Sequence, residues 1–91
     1  MAGTAALIIK VMPDSPEADL EAIKSKAQSA LESHGAQQIS FEENPVAFGL
    51  KALMIKMAWD EEVDTDKATQ ALEEIEHVSS TSIEDYRRAF G

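Results

Sequence analysis

Hydrophobic spacing along this chain switches from a period of two to a period near 3.6 and back, and does so twice. No other feature limits its possible folds as tightly. Residues 4–12, TAALIIKVM, are apolar and rich in β-branched side chains, with Leu7, Ile9 and Val11 on one face and Ile8, Lys10 and Met12 on the other. Both faces are apolar enough for a central strand. PDSP (13–16) stops it, with Ser15 expected as a helix N-cap and Pro16 at the first helical position. From Glu17 to His34 the apolar positions Leu20, Ile23, Ala27, Ala30 and Leu31 fall on one helical stripe. Glu17, Asp19 and Glu21 sit at the positive end of the helix dipole, and Gly35 is the natural stop.

The second half repeats the order without repeating the sequence. AQQISFEE (36–43) places Ile39 and Phe41 on one face among polar neighbours, the pattern of an edge strand. NPVAFG (44–49) interrupts it. LKALMIKMAW (50–59) returns as a strand with Leu53, Ile55, Met57 and Trp59 on one face. DEEVDTD (60–66) leads into a second helix, capped by Asp64 or Thr65, whose stripe is Ala68, Ala71, Leu72 and Ile75. EHVSSTSIEDYRRAF (76–90) is a last strand of poor alternation, since Val78, Ile83 and Tyr86 do not share one parity. Either a bulge or an early end near Asp85 accounts for that.

The order β-α-β-β-α-β predicts an α+β ferredoxin-like sandwich: a four-stranded antiparallel sheet of order 4-1-3-2, with both helices on one face. The first and third strands, the most apolar, would be central. Ninety-one residues are expected to form one domain, spanning 1–91.

Composition excludes several functions. With 17 Asp and Glu against 8 Lys and Arg, a net charge of −9 leaves no positive surface for general nucleic-acid binding. There is no cysteine, so disulfides and thiolate metal sites are ruled out. His34 and His77 stand near element ends without metal-ligand spacing, and no cofactor is expected. The apolar runs AALII and ALMI are far short of the ~20 residues of a membrane span, and no signal peptide is evident, so a cytoplasmic location is expected. Glu42-Glu43 and Asp60-Glu61-Glu62 read as solvated acids at turns. No nucleophile, base and orienter can be assembled into a catalytic set, and an enzyme is not expected.

Two features remain. In NPVAFG, Pro45 presets a turn, Gly49 permits unusual φ, and Phe48 stands at a hairpin tip. Phe48 either folds back onto the sheet or projects as a recognition anchor. The other feature is Arg87-Arg88, the only arginines of the chain. Neighbours on a strand point to opposite faces, so at least one guanidinium should be free of the core. Pairing with Glu84 or Asp85 is the plain alternative, and a planar fork for phosphates and carboxylates is the functional one. In the expected topology the hairpin and the arginine pair lie at opposite ends of the sheet. One small ligand cannot use both; one large protein partner can.

IIKVMPDSPEADLEAIK, NPVAFGLKAL and HVSSTSIEDYRRAF, in this order and spacing, resemble the archaeal translation elongation factor 1-beta family over about residues 7–90. The resemblance implies the same ferredoxin-like fold and a guanine-nucleotide exchange factor for elongation factor 1-alpha, the GTPase that carries aminoacyl-tRNA. It implies that Phe48 contacts the GTPase's second domain. It also implies that a basic residue near the C-terminus, matching Arg88, reaches the magnesium and phosphate region. Family members with lysine there leave open whether Arg87 or Arg88 does so here. A monomer is expected. The alternative reading, a small-molecule-sensing or regulatory ferredoxin-like domain, would be a dimer through a sheet edge.

Overall fold

The alternation along TAALIIKVM becomes the central line of the molecule. The computed structural model describes residues 3–88, as β1 (Thr4–Pro13), α1 (Leu20–Glu32), β2 (Gln37–Pro45), β3 (Lys51–Asp60), α2 (Thr65–Glu73) and β4 (Val78–Arg88), with one 3-10 turn at Ala47–Gly49. The sheet order is β2-β3-β1-β4, the expected 4-1-3-2 read from the other edge, and all neighbouring pairs are antiparallel. The expected extension of the last strand to Phe90 lies outside the described residues.

Alternation decides which face is covered. Leu7, Ile9 and Val11 of β1 and Leu53, Ile55, Met57 and Trp59 of β3 are all buried, and they pack with Ile23, Ala27 and Leu31 of α1 and Ala68 and Leu72 of α2. Both helices therefore lie on one side of the sheet. Each fully buried Leu or Ile contributes roughly 1.5–3 kcal/mol through lost apolar exposure. The other face, with Ala6, Ile8, Lys10 and Met12 along its centre, is exposed or half-buried.

The poor alternation of β4 is resolved as bulging. Ile8 pairs with Asp85 but Ile9 with Ile83, and Met12 pairs with Ser80 but Pro13 with Val78. Glu84 and Ser79 are the extra residues, and each shifts the parity by one. Val78, Thr81, Ile83, Tyr86 and Arg88 thereby oppose Pro13, Val11, Ile9, Leu7 and Ala5, the buried file of β1. β2, the other edge, is also irregular, with a register shift between Gln37 and Ser40 and a φ of 54° at Gln38.

The first helix begins later than its sequence signals indicate. Its N-cap is Asp19, which accepts from the N–H groups of Glu21 and Ala22 at 3.1 and 3.3 Å, rather than Ser15. β1 continues to Pro13, and Asp14 is held to the last strand's approach by its N–H donating to the His77 carbonyl at 2.8 Å. The chain needs the following residues to climb from the sheet to the helix layer. α1 closes with Gly35 at φ 90° and the Ala36 N–H reaching back to Leu31 O at 3.1 Å. For α2 the cap is Asp64, accepting from Asp66 N–H at 3.0 Å.

Candidate functional site

The β2–β3 connection is built to project a side chain. After Pro45, Val46 is extended and its N–H donates to Leu50 O at 2.8 Å, which closes a tight loop. Inside it Phe48 adopts φ 63°, ψ 28° and Gly49 φ 75°. A left-handed conformation is free for glycine and costs a residue with a Cβ roughly 1–2 kcal/mol. The loop nevertheless leaves Phe48 92% exposed. Of the two placements open to this ring, the structure has the projecting one. The loop leans on the turn after β1: a Cβ built on Gly49 would touch the Pro16 ring at 3.8 Å.

Beside the loop, Pro13, Pro16, Ala18 and Leu20 line an open groove of about 260 Å³, with Asp19, Glu21, Glu43 and Lys51 around it. Lys24 of α1 braces one wall, donating at 2.8 Å to both Glu21 and Glu43. The hydrogen bond to Glu21, then that to Glu43, raises the Lys24 pKa, and the bond from Lys24 lowers that of Glu43.

The arginines lie at the other end. Arg88 pairs with Ala5 and Arg87 with Ala6, so they take opposite faces of the sheet. Neither enters the core: their side chains are 75% and 79% exposed, with Arg88 Nε 3.1 Å from Glu61 Oε1 and Arg87 Nε 3.1 Å from Asp85 Oδ2. Arg87 has one of the two partners foreseen for the pair. The partner of Arg88 was not foreseen, because nothing in DEEVDTD separates Glu61 from its acidic neighbours. Ion pairs made by guanidiniums this exposed contribute about 0–1 kcal/mol to stability.

From Ala5, opposite Arg88, to Pro13, level with the hairpin, is eight residues along β1. At ~3.3 Å each, the two features stand roughly 26 Å apart. Pro45, Phe48 and Gly49 are brought together at one end, and Arg87 and Arg88 at the other.

A family model described as the EF-1 guanine nucleotide exchange domain matches residues 6–89. The chain belongs to this family. Among curated relatives of the exchange domain, elongation factor 1-beta of Methanothermobacter thermautotrophicus is 40% identical over 87 residues, covering 94% of this chain and 97% of its own length. The protein of the same name from Methanosphaera stadtmanae is 39% identical over 84 residues, covering 91% and 93%. That from Methanosphaerula palustris is 43% identical over 82 residues, covering 89% and 92%. The resemblance carried by VMPDSPEADL, NPVAFGLKAL and HVSSTSIEDYRR is thus a family relationship across nearly the whole chain. Among the described residues of the exchange domain, no helix is long and apolar enough to cross a membrane.

Proposed function

We propose that this chain promotes release of GDP from elongation factor 1-alpha, so that GTP can load, by gripping that GTPase at two places. Phe48, set on its loop by Pro45 and Gly49, is the anchor on the partner's second domain. Arg88 is the group that reaches the bound nucleotide. Arg87, on the other face of the sheet, adds charge nearby and does not enter.

The observation that carries this reading is the wide separation between an almost fully exposed aromatic and an exposed guanidinium, on a chain of the exchange-domain family. A small ligand spans neither the distance nor the two chemistries. An aromatic on a closed loop is a typical interface anchor, because little ordering entropy is lost when it docks.

The mechanism is electrostatic. Where a Mg²⁺ ion helps the GTPase to hold GDP, the Arg88 guanidinium brought close would repel the metal and compete for its anionic ligands. Linkage does the rest: a factor that weakens GDP binding by some ratio is itself bound more weakly by that ratio when GDP is present. The factor therefore binds the nucleotide-free GTPase best and leaves once GTP is loaded. No bond is made or broken on this chain. Its acidic surface favours encounter with a basic partner face.

We also propose that it acts as a cytoplasmic monomer. Bulges on both edge strands oppose edge-to-edge pairing, which disfavours the dimeric sensor reading. The direct test is capture of elongation factor 1-alpha from the source cell by immobilised protein. Capture is expected to fall when excess GDP is added, and equal capture with and without GDP refutes the linkage.

A further inference from the structure

Glu61 is held differently from the acids beside it. Asp60 serves the turn itself, its Oδ1 accepting from the Glu62 N–H at 2.9 Å. Glu61 is tied to the start of β1: its N–H donates to Gly3 O at 3.0 Å, and its carboxylate lies so close over Gly3 that a Cβ built there would overlap Oε2. Its side chain is only 21% exposed, against 75% for the arginine it meets. The start of β1, the turn after β3 and the end of β4 thus converge on one carboxylate and one guanidinium. The Arg87–Asp85 pair is built within a single strand, with Asp85 39% exposed, and fixes the guanidinium to no other element.

We infer that Glu61 is a positioning residue for Arg88: a carboxylate lying over Gly3, 3.1 Å from Arg88 Nε, pairs with the guanidinium and holds it at the end of the sheet, ready for the partner's phosphate and metal ligands. This rests on the exchange-factor reading above. An arginine side chain has many rotamers. If only one direction is productive, the rate at saturation scales with the fraction of time spent there. A carboxylate paired beside Nε restricts the choice without occupying the whole fork, since guanidinium has five N–H donors.

The test has two arms. In the free protein, the ¹⁵Nε–¹Hε signal of Arg88 should be sharp and displaced from the unrestrained arginine position. It should collapse to that position in Glu61→Ala, with Arg87 unmoved. Gly3→Ala should have the same effect without removing any charge, because the overlap is with the end of a flexible side chain and the carboxylate must shift. In GDP release from the intact GTPase, both variants should lower the saturated rate about threefold or more, leave the half-saturating concentration unchanged, and keep the wild-type melting temperature. Glu61→Ala should add nothing to Arg88→Ala. If Glu61→Ala releases GDP at the wild-type saturated rate while Arg88→Ala is slow, the inference is overturned and the exchange reading stands. If Arg88→Ala is itself as fast as wild type, the exchange role of Arg88 fails instead. The free-protein spectrum then decides alone whether Glu61 orients it.

Discussion

Lys24 and Glu43 join α1 to β2: the ammonium donates to the carboxylate across 2.8 Å while a second bond of equal length holds Glu21. The link stands beside the groove at the Phe48 end, so its charge state bears on how firmly that end is held. Glu43 has a lowered pKa, so its contribution to stability is present above the ordinary carboxylate value and is lost as pH falls through the lowered one. Lys24 has a raised pKa, so its contribution is present below the ordinary lysine value and is lost as pH rises through the raised one. Thermal melts of wild type and Glu43→Gln should differ by a constant small amount through the neutral range and converge in acid. A difference that grows on acidification contradicts the assignment.

Phe48 should separate docking from stability. Its ring is 92% exposed, so Phe48→Ala should move the melting temperature by no more than a degree or two. Phe48→Asn should raise it slightly, because asparagine tolerates the φ of 63° better than phenylalanine. Both should weaken the complex with elongation factor 1-alpha about tenfold or more, which is ~1.4 kcal/mol. Calorimetric titration measures the second effect, and unchanged affinity removes Phe48 from the interface.

Arg88→Ala should slow GDP release from the partner about tenfold, and Arg87→Ala appreciably less. The two residues face opposite sides of the sheet, and only one of them can lead. Stopped-flow release of a fluorescent GDP reads the rates. Equal losses would mean that charge alone, and not a placed guanidinium, drives exchange. Neither variant should lower the melting temperature, because both guanidiniums are exposed and such pairs contribute little to stability.

Trp59 should behave in the opposite way. It is fully buried at 0% exposure, and its Nε1–H donates to Val63 O at 2.9 Å, tying the end of β3 to the approach of α2. Trp59→Phe removes volume and leaves that carbonyl without its donor, a loss of about 1–3 kcal/mol by urea unfolding. The saturated exchange rate of the folded fraction should stay at the wild-type value, because Trp59 belongs to the core and not to a docking surface.

Periodicity alone reveals most of the fold. Alternation in β1 and β3 and the stripes of α1 and α2 are local patterns, each readable within about ten residues, and two apolar central strands with two amphipathic helices leave few ways to cover one face. The departures have identifiable causes. Ser15 and Asp19 are both good caps, and only the extension of β1 to Pro13 decides between them. The β4 bulges were one of two explanations for a broken pattern, and pairing with β1 selects between them. Phe48 had two placements because a ring at a hairpin tip is free to turn either way until the closed loop fixes it.

Local pattern is enough to set the order of elements, the buried faces of the two central strands, and the presence of an aromatic hairpin and an arginine pair on the last strand, because these depend on residues close together in the chain. Only the packed chain shows that Phe48 projects, that Arg88 rather than Arg87 lies on the helix side of the sheet, and that Glu61 meets Arg88. Those outcomes depend on register and on approach between segments far apart in sequence, where the interaction energy comes from a partner that local composition does not reveal.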